Sequence, residues 1–399
     1  MSLPNSSSTY GGVTKTFHWL TALMMFTVIP VGYFTNPDIA TTDADIARAA
    51  WMFSVHKTLG VVLFFVALAR ILWAISQPKP GLLNADNIPE AFAAETIHWL
   101  LYGSLVLAPL SGWIHHAATT GFAPIWLPFG QTLPFVPKDP AFADFMSGLH
   151  FVLVWTLVAA IGLHVAGALK HHIIDRDETL RRMLPGQTNV PPLAPQPHSR
   201  MPLVAALVLW AAALGAGTLT GVFESHTHTA QAAELEAVQS DWTVDSGTLA
   251  LTVTQLGSPV TGSFADWTAA ITFDDPATPG PAGEVDVTIA IGSVTLGSVT
   301  GQATGKDFFD AATFPTASFK AALFKTETGY EARGPLSIRD TAIDIVLPFT
   351  LKLEGNTAEM TGSVQLNRLD FGVGAHMPDE GSLAFAVGIQ IDLIATRAP

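Results

Sequence analysis

Residues 148–170 read GLHFVLVWTLVAAIGLHVAGALK, an apolar run with two histidines and one charge, at its last position. A helix of about 20 apolar residues crosses the roughly 30 Å hydrocarbon core of a membrane. His150 and His164 are 14 residues apart, so on an ideal helix they project within about 40° of each other and about 21 Å apart along the axis. The run therefore predicts a membrane helix with one histidine near each side of the membrane.

Four more apolar runs lie in the same half of the chain, and each is close to the length of a membrane span. Hydrophobic residues make up 49% of the chain and charged residues only 13%, whereas ordinary soluble domains contain about 25% charged residues. Five such runs are too many for the buried core of a soluble protein. We therefore predict five membrane helices, over residues 17–34, 55–75, 97–117, 149–169 and 201–222.

Lysine and arginine near the ends of these runs set the predicted orientation. They are more numerous on the face that contains the N-terminus, and such residues accumulate on the cytoplasmic side. We expect a multi-pass membrane protein with a cytoplasmic N-terminus, whose C-terminal half lies in the periplasm or outside the cell. The fifth run has a second interpretation, a signal peptide, because residues 203–219 precede a small-residue Ala230-Gln231-Ala232 cleavage signal. Our hypothesis is that the run stays as an uncleaved anchor.

Charge divides the chain as clearly as hydropathy does. Residues 1–229 hold 11 basic and 12 acidic residues and twelve of the 13 histidines, whereas residues 230–399 hold 8 basic and 21 acidic residues. A net charge of −14 makes the chain a poor binder of nucleic acid, whose phosphates need lysine and arginine. The absence of cysteine excludes disulfides, iron–sulfur clusters, thiolate haem ligation and covalent attachment of c-type haem.

Histidines of two other predicted helices can pair with those of the fourth. His18 lies at the cytoplasmic start of the first helix and His56 at the outer start of the second, whereas helix four runs inwards from His150 to His164. The expected pairs are therefore His56 with His150 and His18 with His164. Two pairs at two depths in a four-helix bundle suit two bis-histidine haems, whereas zinc needs three or four ligands at one point. Arg70, near the cytoplasmic end of helix two, is a candidate partner of a haem propionate or, equally, of a lipid phosphate.

The other histidines of this half leave alternatives open. His98 begins the third run and could contact a propionate or a quinone, or simply lie at the interface. His115 and His116, at the outer end of that run, could take part in quinone or proton chemistry, although an interfacial role is favoured. His171 and His172 follow the fourth run, and we expect them to face lipid headgroups.

The motifs around the four paired histidines resemble those of the bacterial di-haem cytochrome b561 family, over about residues 10–186. They are Thr16-Phe17-His18-Trp19-Leu20, Val55-His56-Lys57-Thr58-Leu59-Gly60, Gly148-Leu149-His150, Gly162-Leu163-His164, Leu169-Lys170-His171-His172 and Arg181-Arg182-Met183-Leu184-Pro185. The resemblance implies a protein of the bacterial inner (plasma) membrane with two b haems. It also implies electron transfer between a quinone pool, such as ubiquinone, and another redox partner in a respiratory chain. Superoxide is one candidate partner, and a quinone-linked oxidoreductase is one candidate activity. It also allows a cytochrome b subunit that serves a separate dehydrogenase.

From about residue 236 the hydropathy pattern changes to a period of two. Residues 249–254 and 285–291 alternate apolar with small or polar side chains, as half-buried strands do. Turn signals such as Pro279-Gly280-Pro281 and Glu354-Gly355-Asn356 separate these strands. The pattern predicts an all-β antiparallel sandwich or barrel, and a barrel of about eight strands can hold one elongated apolar ligand.

Motifs of this half resemble the YceI-like family, in order and over about residues 236–397. They are Gly262-Ser263-Phe264-Ala265-Asp266-Trp267, Ile271-Thr272-Phe273-Asp274, Phe308-Phe309-Asp310-Ala311, Phe314-Pro315-Thr316-Ala317-Ser318-Phe319, Gly334-Pro335-Leu336-Ser337-Ile338, Leu347-Pro348-Phe349, Asn367-Arg368-Leu369-Asp370-Phe371-Gly372-Val373-Gly374 and Ala395-Thr396-Arg397. The resemblance implies a periplasmic, lipocalin-like antiparallel barrel that binds an isoprenoid lipid.

Seven aromatic residues are candidates for an apolar, lipid-binding wall, because a prenyl tail needs an apolar lining with few polar groups. They are Phe264, Trp267, Phe273, Phe308, Phe309, Phe314 and Phe349, each of which could instead be plain core. No catalytic constellation is visible in this half.

Taken together, the sequence predicts a multi-domain protein. Residues 1–186 form an all-α transmembrane four-helix haem bundle, residues 187–235 a linker with the extra membrane helix, and residues 236–399 the barrel. The predicted function is electron transfer through two haems, with a barrel that binds a polyisoprenoid or quinone-like lipid. The main alternative is a lipid-binding or carrier protein whose helical half only anchors it in the bilayer.

Overall fold

A computed structural model describes residues 2–35, 43–119, 123–186, 190, 196, 199–223, 232–236, 238–297 and 299–397. The chain divides into two compact units, one helical and one built mainly on the C-terminal residues. The fold predicted from the sequence, a bundle of apolar helices followed by an antiparallel barrel, is confirmed. The first two residues of the small-residue cleavage signal, 230 and 231, lie outside the described residues, together with His198, His226 and His228.

Five long helices form the helical unit, and each is long and apolar enough to cross a membrane. They are α1 (Gly12–Phe34), α2 (Asp43–Ile75), α3 (Ile88–Ala118), α4 (Pro140–Lys170) and α5 (Met201–Leu219). The first four begin five to twelve residues before the predicted apolar runs, because polar residues that hydropathy excludes still continue a helix. Asp139 caps α4 by accepting a hydrogen bond from the Phe142 amide at 2.7 Å, and Pro140 occupies its first turn.

The α5 helix packs against α3 and α4 rather than standing apart from them. Ala206 is fully buried in a cluster with Leu100 and Ala160. The indole of Trp210 lies over Gly103, where a Cβ atom would overlap the ring, and its Nε1–H donates to Ser104 Oγ at 3.1 Å. Small residues at such contacts allow close approach of membrane helices.

The second unit is one antiparallel sheet of ten strands curled into a barrel. The strands are β1 (Trp242–Gln255), β2 (Ser258–Phe264), β3 (Trp267–Phe273), β4 (Gly280–Ala290), β5 (Val294–Thr295), β6 (Thr316–Lys325), β7 (Tyr330–Ile338), β8 (Thr341–Glu354), β9 (Thr357–Asn367) and β10 (Leu383–Arg397). Their order in the sheet is β3-β4-β6-β7-β8-β9-β10-β1-β2-β5. Buried and more exposed residues alternate along β6, because one face of the strand lies inside the barrel. This alternation explains the two-residue hydropathy period from which the strands were predicted.

Candidate functional site

Two histidines of the helical unit face each other, His56 from the first half of α2 and His150 from the first half of α4. The imidazole rings of His56 and His150 have centroids 6.3 Å apart and planes at 89°. His56 donates its Nδ1–H to the Val28 carbonyl at 2.9 Å, and His150 donates its Nδ1–H to the Ala108 carbonyl at 2.7 Å. Because a carbonyl can only accept, both rings carry their proton on Nδ1, and Nε2 of each keeps a free lone pair.

Two glycines make room for these rings. Gly32 lies one turn after Val28 on α1, and a Cβ there would overlap the His56 ring. Gly112 lies one turn after Ala108 on α3, and a Cβ there would lie 2.9 Å from the His150 ring. Neither glycine stands out from the sequence pattern alone, although each follows a helix-interior proline in the segments Pro30-Val31-Gly32 and Pro109-Leu110-Ser111-Gly112.

The second predicted pair joins the first half of α1, which holds His18, to the second half of α4, which holds His164. The ring centroids of His18 and His164 are 6.1 Å apart. The guanidinium of Arg70 reaches towards His18, with Nη2 3.5 Å from Nδ1, and lies over the Tyr102 ring at 5.3 Å. Among the described residues no carboxylate forms an ion pair with Arg70.

The distances within both pairs fit six-coordinate haem iron. Two metal–imidazole bonds of about 2 Å each, added to the ring radii, separate trans imidazole centroids by roughly 6 Å, as found at 6.1 and 6.3 Å. Gly60 lies one turn after His56 and Gly167 one turn after His164, and nothing lies within 4 Å of a Cβ at either position. Imidazole donors with a free lone pair, an arginine without a carboxylate partner among the described residues, and open space beside the donors all fit b haems.

Three further histidines lie beside these pairs. The His98 ring is 5.1 Å from that of His164, and its Nδ1–H donates to Ala94, one turn earlier in α3. His115 donates to the Ala143 carbonyl at 2.8 Å, and its ring is 4.7 Å from that of His116. A separation of 5.1 Å is too short for trans ligands of one iron, so His98 is a neighbour of the inner pair.

His171 differs from its expected headgroup-facing position. It is buried, because α4 ends in a π-helical turn that points His171 inwards and leaves His172 exposed. Its Nδ1 lies 2.7 Å from Asp177, and its Nε2 lies 3.4 Å from Glu90. Burial alone would raise the pKa of Asp177, but hydrogen bonds from Thr179 and His171 outweigh it and lower that pKa.

Glu90, His171 and Asp175 are close enough to surround a cation. The Lys170 ammonium, however, already lies 2.6 Å from Glu90 and 2.8 Å from Asp175. The cluster is therefore an ion-pair network at the end of the bundle.

The segment after this turn folds back onto the start of α1. Lys15 donates to the carbonyls of Leu184 and Gly186 at 2.8 and 2.9 Å, and Trp19 donates to Met183. Arg182 is 4% exposed and lies over the Tyr10 ring at 5.3 Å. The Arg181–Pro185 motif thus covers the end of the bundle that holds His18, His164 and Arg70.

The barrel encloses an apolar cavity of about 230 Å³. Five of the seven predicted aromatic residues line it, namely Phe264, Trp267, Phe273, Phe309 and Phe349. Phe308 and Phe314 do not line it, because Phe308 packs against His376 and Phe314 against Arg339. Phe264, Trp267, Phe273 and Phe349 lie on strands, whereas Phe308, Phe309 and Phe314 lie in the segment that precedes β6.

Arg368 is the single charged side chain on this wall within the described residues, and its donors are directed to backbone carbonyls. Its guanidinium donates to the backbone carbonyls of Ala384, Val373, Gly374, Met377 and Leu383. Arg368 therefore holds two connecting segments together and leaves the cavity without a polar partner for a ligand headgroup.

Residues 9–186 match the family model described as prokaryotic cytochrome b561. "Cytochrome b561 homolog 2" of Escherichia coli (strain K12) is 33% identical over 188 residues, which are 46% of this chain and 95% of that protein. "Probable superoxide oxidase CybB" of Yersinia pestis is 29% identical over 136 residues, 34% of this chain and 76% of that protein.

Residues 214–395 match the family model described as YceI-like domain. The crystal structure of Burkholderia cenocepacia BcnA is similar to this half, with 32% sequence identity and a TM-score of 0.35. The match covers 38% of this chain and 96% of BcnA.

Proposed function

Because this chain belongs to the prokaryotic cytochrome b561 family and continues into a YceI-like domain, we propose that it carries electrons across a membrane. The path runs through two bis-histidine b haems, one held by His56 and His150 and the other by His18 and His164. Residues 1–186 form the redox domain, residues 187–235 a linker with the fifth helix, and residues 236–399 a lipid-binding domain. The observation that carries the proposal is the 6.1 and 6.3 Å centroid separation of the two histidine pairs.

When bound, each haem supplies a low-spin iron that is exchanged between the ferric and ferrous states one electron at a time. The chain's own residues fix the properties of the ligands. The carbonyls of Val28 and Ala108 hold His56 and His150 in the Nδ1–H tautomer and make the imidazoles more basic. Arg70, beside His18, provides positive charge for a propionate at the inner haem.

The electron donor and acceptor in this proposal are a ubiquinone-type quinone pool and a second redox partner. A relative named as a probable superoxide oxidase supports superoxide as that partner. His115 and His116 lie beside the outer pair and His98 beside the inner pair, which gives a quinone polar neighbours on either side. With a cytoplasmic N-terminus in the inner membrane, the His56–His150 pair lies towards the periplasm.

The barrel completes the proposal as a binding domain for a polyisoprenoid or quinone-like lipid. Its cavity is apolar throughout, and Arg368 uses its donors on backbone carbonyls. Hydrocarbon without polar groups is the ligand chemistry that such a lining accepts. Phe264, Trp267, Phe273, Phe309 and Phe349 are the residues we assign to ligand contact.

A pyridine haemochrome assay on the purified full-length chain tests the redox proposal. The expected result is two b haems per chain, and one haem per chain for each of His150→Ala and His164→Ala. His172→Ala is the matched control, because His172 is exposed and belongs to neither pair. A colourless protein made with ample haem supply, or unchanged haem content in both variants, would contradict the ligand assignment.

Two further measurements separate the alternatives. Reduction of the haems by a short-chain ubiquinol without any added protein supports a quinone-linked carrier, and no reduction favours a subunit of a larger dehydrogenase. Extraction of the purified protein followed by mass spectrometry detects a bound prenyl lipid. A chain with prenyl lipid but no haem would be a membrane-anchored lipid carrier.

A further inference from the structure

The wall of the barrel is continuous except along one line. Strands that are neighbours in the sheet order are joined by antiparallel ladders, for example seven residue pairs between β1 and β2 and seven between β3 and β4. The barrel closes where the edge strand β3 meets the first half of β1. This closure is made near one end only, where Asp241 N–H donates to the Ile271 carbonyl at 3.0 Å and Trp242 Nε1–H donates to the Phe273 carbonyl at 3.0 Å.

Beyond that closure, no hydrogen bond joins residues 243–248 of β1 to residues 267–270 of β3, all of which are described. We call this line the β1–β3 seam. A bulge between Val244 and Ser246 shifts the register of β1 at this point. A bulge bends its strand and interrupts pairing, and this bulge lies where β1 would otherwise pair with β3.

The indole of Trp267 covers the seam. A Cβ on Gly247 would lie 2.8 Å from Cζ2 of this indole, so the ring sits directly against the glycine backbone. Trp267 is half-buried and lines the cavity, and Gly247 is exposed. Along this line the Trp267 indole therefore lies between the cavity and the exposed backbone of Gly247.

Each end of the barrel carries several residues that pack on one another or are hydrogen-bonded. At the end with the hairpin turns, Tyr330 stacks on Phe349 at 5.4 Å and packs against Phe273 at 5.7 Å. Tyr330 is fixed there by its hydroxyl, which donates to Asp275 at 2.7 Å. At the other end, α6 (Thr300–Thr304) and the segments bound by Arg368 cover the strands. Opening either end requires several packed or hydrogen-bonded groups to move together.

We propose that the β1–β3 seam is the portal through which a lipid tail enters the barrel, with Trp267 as its gate. The inference rests on the proposed lipid binding and adds the route and the orientation of the ligand. Rotation of one indole opens the seam without breaking a backbone hydrogen bond. Because the cavity offers no partner to a polar headgroup, the tail enters first and the headgroup stays outside, beside exposed Ser246 and Thr248.

The release rate of a radiolabelled C20 prenol, geranylgeraniol, from the full-length chain to excess phosphatidylcholine vesicles tests the portal. Trp267→Ala is expected to speed release at least tenfold. Tyr330→Ala removes a ring that packs at the hairpin end without lining the cavity, and it is expected to change the rate less than twofold. The opposite pattern, with fast release from Tyr330→Ala only, would place entry at that end and overturn the portal.

A second measurement avoids removing any core side chain. The chain has no cysteine, so Ser246→Cys can be labelled specifically with a 5-kDa polyethylene glycol maleimide, and Glu359→Cys on β9 serves as the equally exposed control. The label at residue 246 is expected to slow prenol uptake at least tenfold, and the label at residue 359 to leave it unchanged. Equal uptake by both labelled proteins would overturn the portal and leave lipid binding intact. Absence of prenol binding by the unmodified chain would instead refute lipid binding itself.

Discussion

The imidazoles of His56 and His150 lie 6.3 Å apart, and each is hydrogen-bonded through Nδ1 to a carbonyl of a third or fourth helix. The two acceptors, Val28 on α1 and Ala108 on α3, are equivalent in their surroundings. Each is followed by a proline within two residues and by a glycine one turn later. A ring thus enters the space that a side chain at residue 32 or 112 would fill. The glycines are therefore part of the haem site in the proposed ligation.

Adding a side chain at Gly112 should displace His150. A Cβ there lies 2.9 Å from Cε1 and Nδ1 of the ring, closer than real contacts allow. We expect Gly112→Val to lose the outer haem, so that the haem-to-protein ratio falls from about two towards one. Gly215→Val is the matched control, because Gly215 on α5 is exposed with nothing near its Cβ. A Gly112→Val protein with unchanged haem content and potential would show that the ring tolerates the intrusion.

The sequence predicted which histidines meet but not what holds them. Helix periodicity placed His150 and His164 on one face, and the direction of each helix then matched them with His56 and His18. The carbonyl acceptors could not be predicted, because any backbone carbonyl in a neighbouring helix is an equal candidate until the helices are packed. His171 was misplaced for a related reason: a regular α-helix leaves it at the headgroups, and the π-helical turn rotates it inwards.

The charge of Arg70 should raise the potential of the inner haem. A cation close to the site disfavours the ferric form, which carries one more positive charge than the ferrous form. We expect Arg70→Gln to lower the inner midpoint potential by tens of millivolts, where about 59 mV corresponds to a tenfold change in the equilibrium. Potentiometric titration of both haems measures this shift. Arg181→Gln is the control, since Arg181 is exposed and already paired with Glu178. Equal midpoint potentials of the wild-type and Arg70→Gln proteins would show that Arg70 does not act on the inner haem.

The docking of α5 should depend on the contact of Trp210 with Gly103 and Ser104. Interhelical hydrogen bonds in membranes contribute about 1–2 kcal/mol in model peptides, and the indole also fills the space above the glycine. We expect Trp210→Ala to lower the apparent melting temperature of the detergent-solubilised protein by several degrees. Leu207→Ala, a change at an exposed position of the same helix, should leave it unchanged. Similar melting of the two variants would mean that α5 is only a tether.

The integrity of the chain across α5 is a related prediction. A helix packed against α3 and α4 is typical of a retained membrane anchor, whereas a signal peptide leaves the protein after cleavage. Full-length protein with a tag at each end should therefore give one immunoblot band that carries both tags, near 42.3 kDa. Two fragments, each with one tag, would establish the signal-peptide interpretation.

The fold of the β half could be predicted more completely than that of the helical half. The contacts that hold its connecting segments could be predicted less completely. Alternation and turn residues predicted the antiparallel strands, because each strand buries one face. They did not predict that Arg368 would bind five carbonyls, since connecting segments have no periodicity. The β1–β3 seam was equally invisible, because a register shift at Val244 and Ser246 depends on the partner strand β10.

Acid should weaken the hairpin end of the barrel through Asp275. Its carboxylate accepts hydrogen bonds from Lys325 and Tyr330, both at 2.7 Å, and the Lys325 bond is the larger cause of its lowered pKa. Since the folded pKa lies below the unfolded value of about 4, this stabilisation is complete above about pH 4 and is lost as pH falls through the folded pKa. The hydrogen bond to Asp275 also raises the pKa of Lys325. The stabilisation that Lys325 contributes is therefore lost only when the pH rises above the ordinary lysine pKa of about 10.

Hydrogen–deuterium exchange along β6 and β7, corrected for the intrinsic dependence on pH, measures this effect. Strand ends near Lys325 and Tyr330 should exchange several-fold faster at pH 3 than at pH 6, a modest change because the groups are partly exposed. Asp275→Asn should exchange at the faster rate at both pH values, since it has no carboxylate to protonate. Asp286→Asn is the control, because Asp286 pairs with exposed Lys320 and has no tyrosine partner in the described part of the barrel. If Asp275→Asn kept the full pH dependence of the wild type, the acid sensitivity of this end would have to come from another carboxylate.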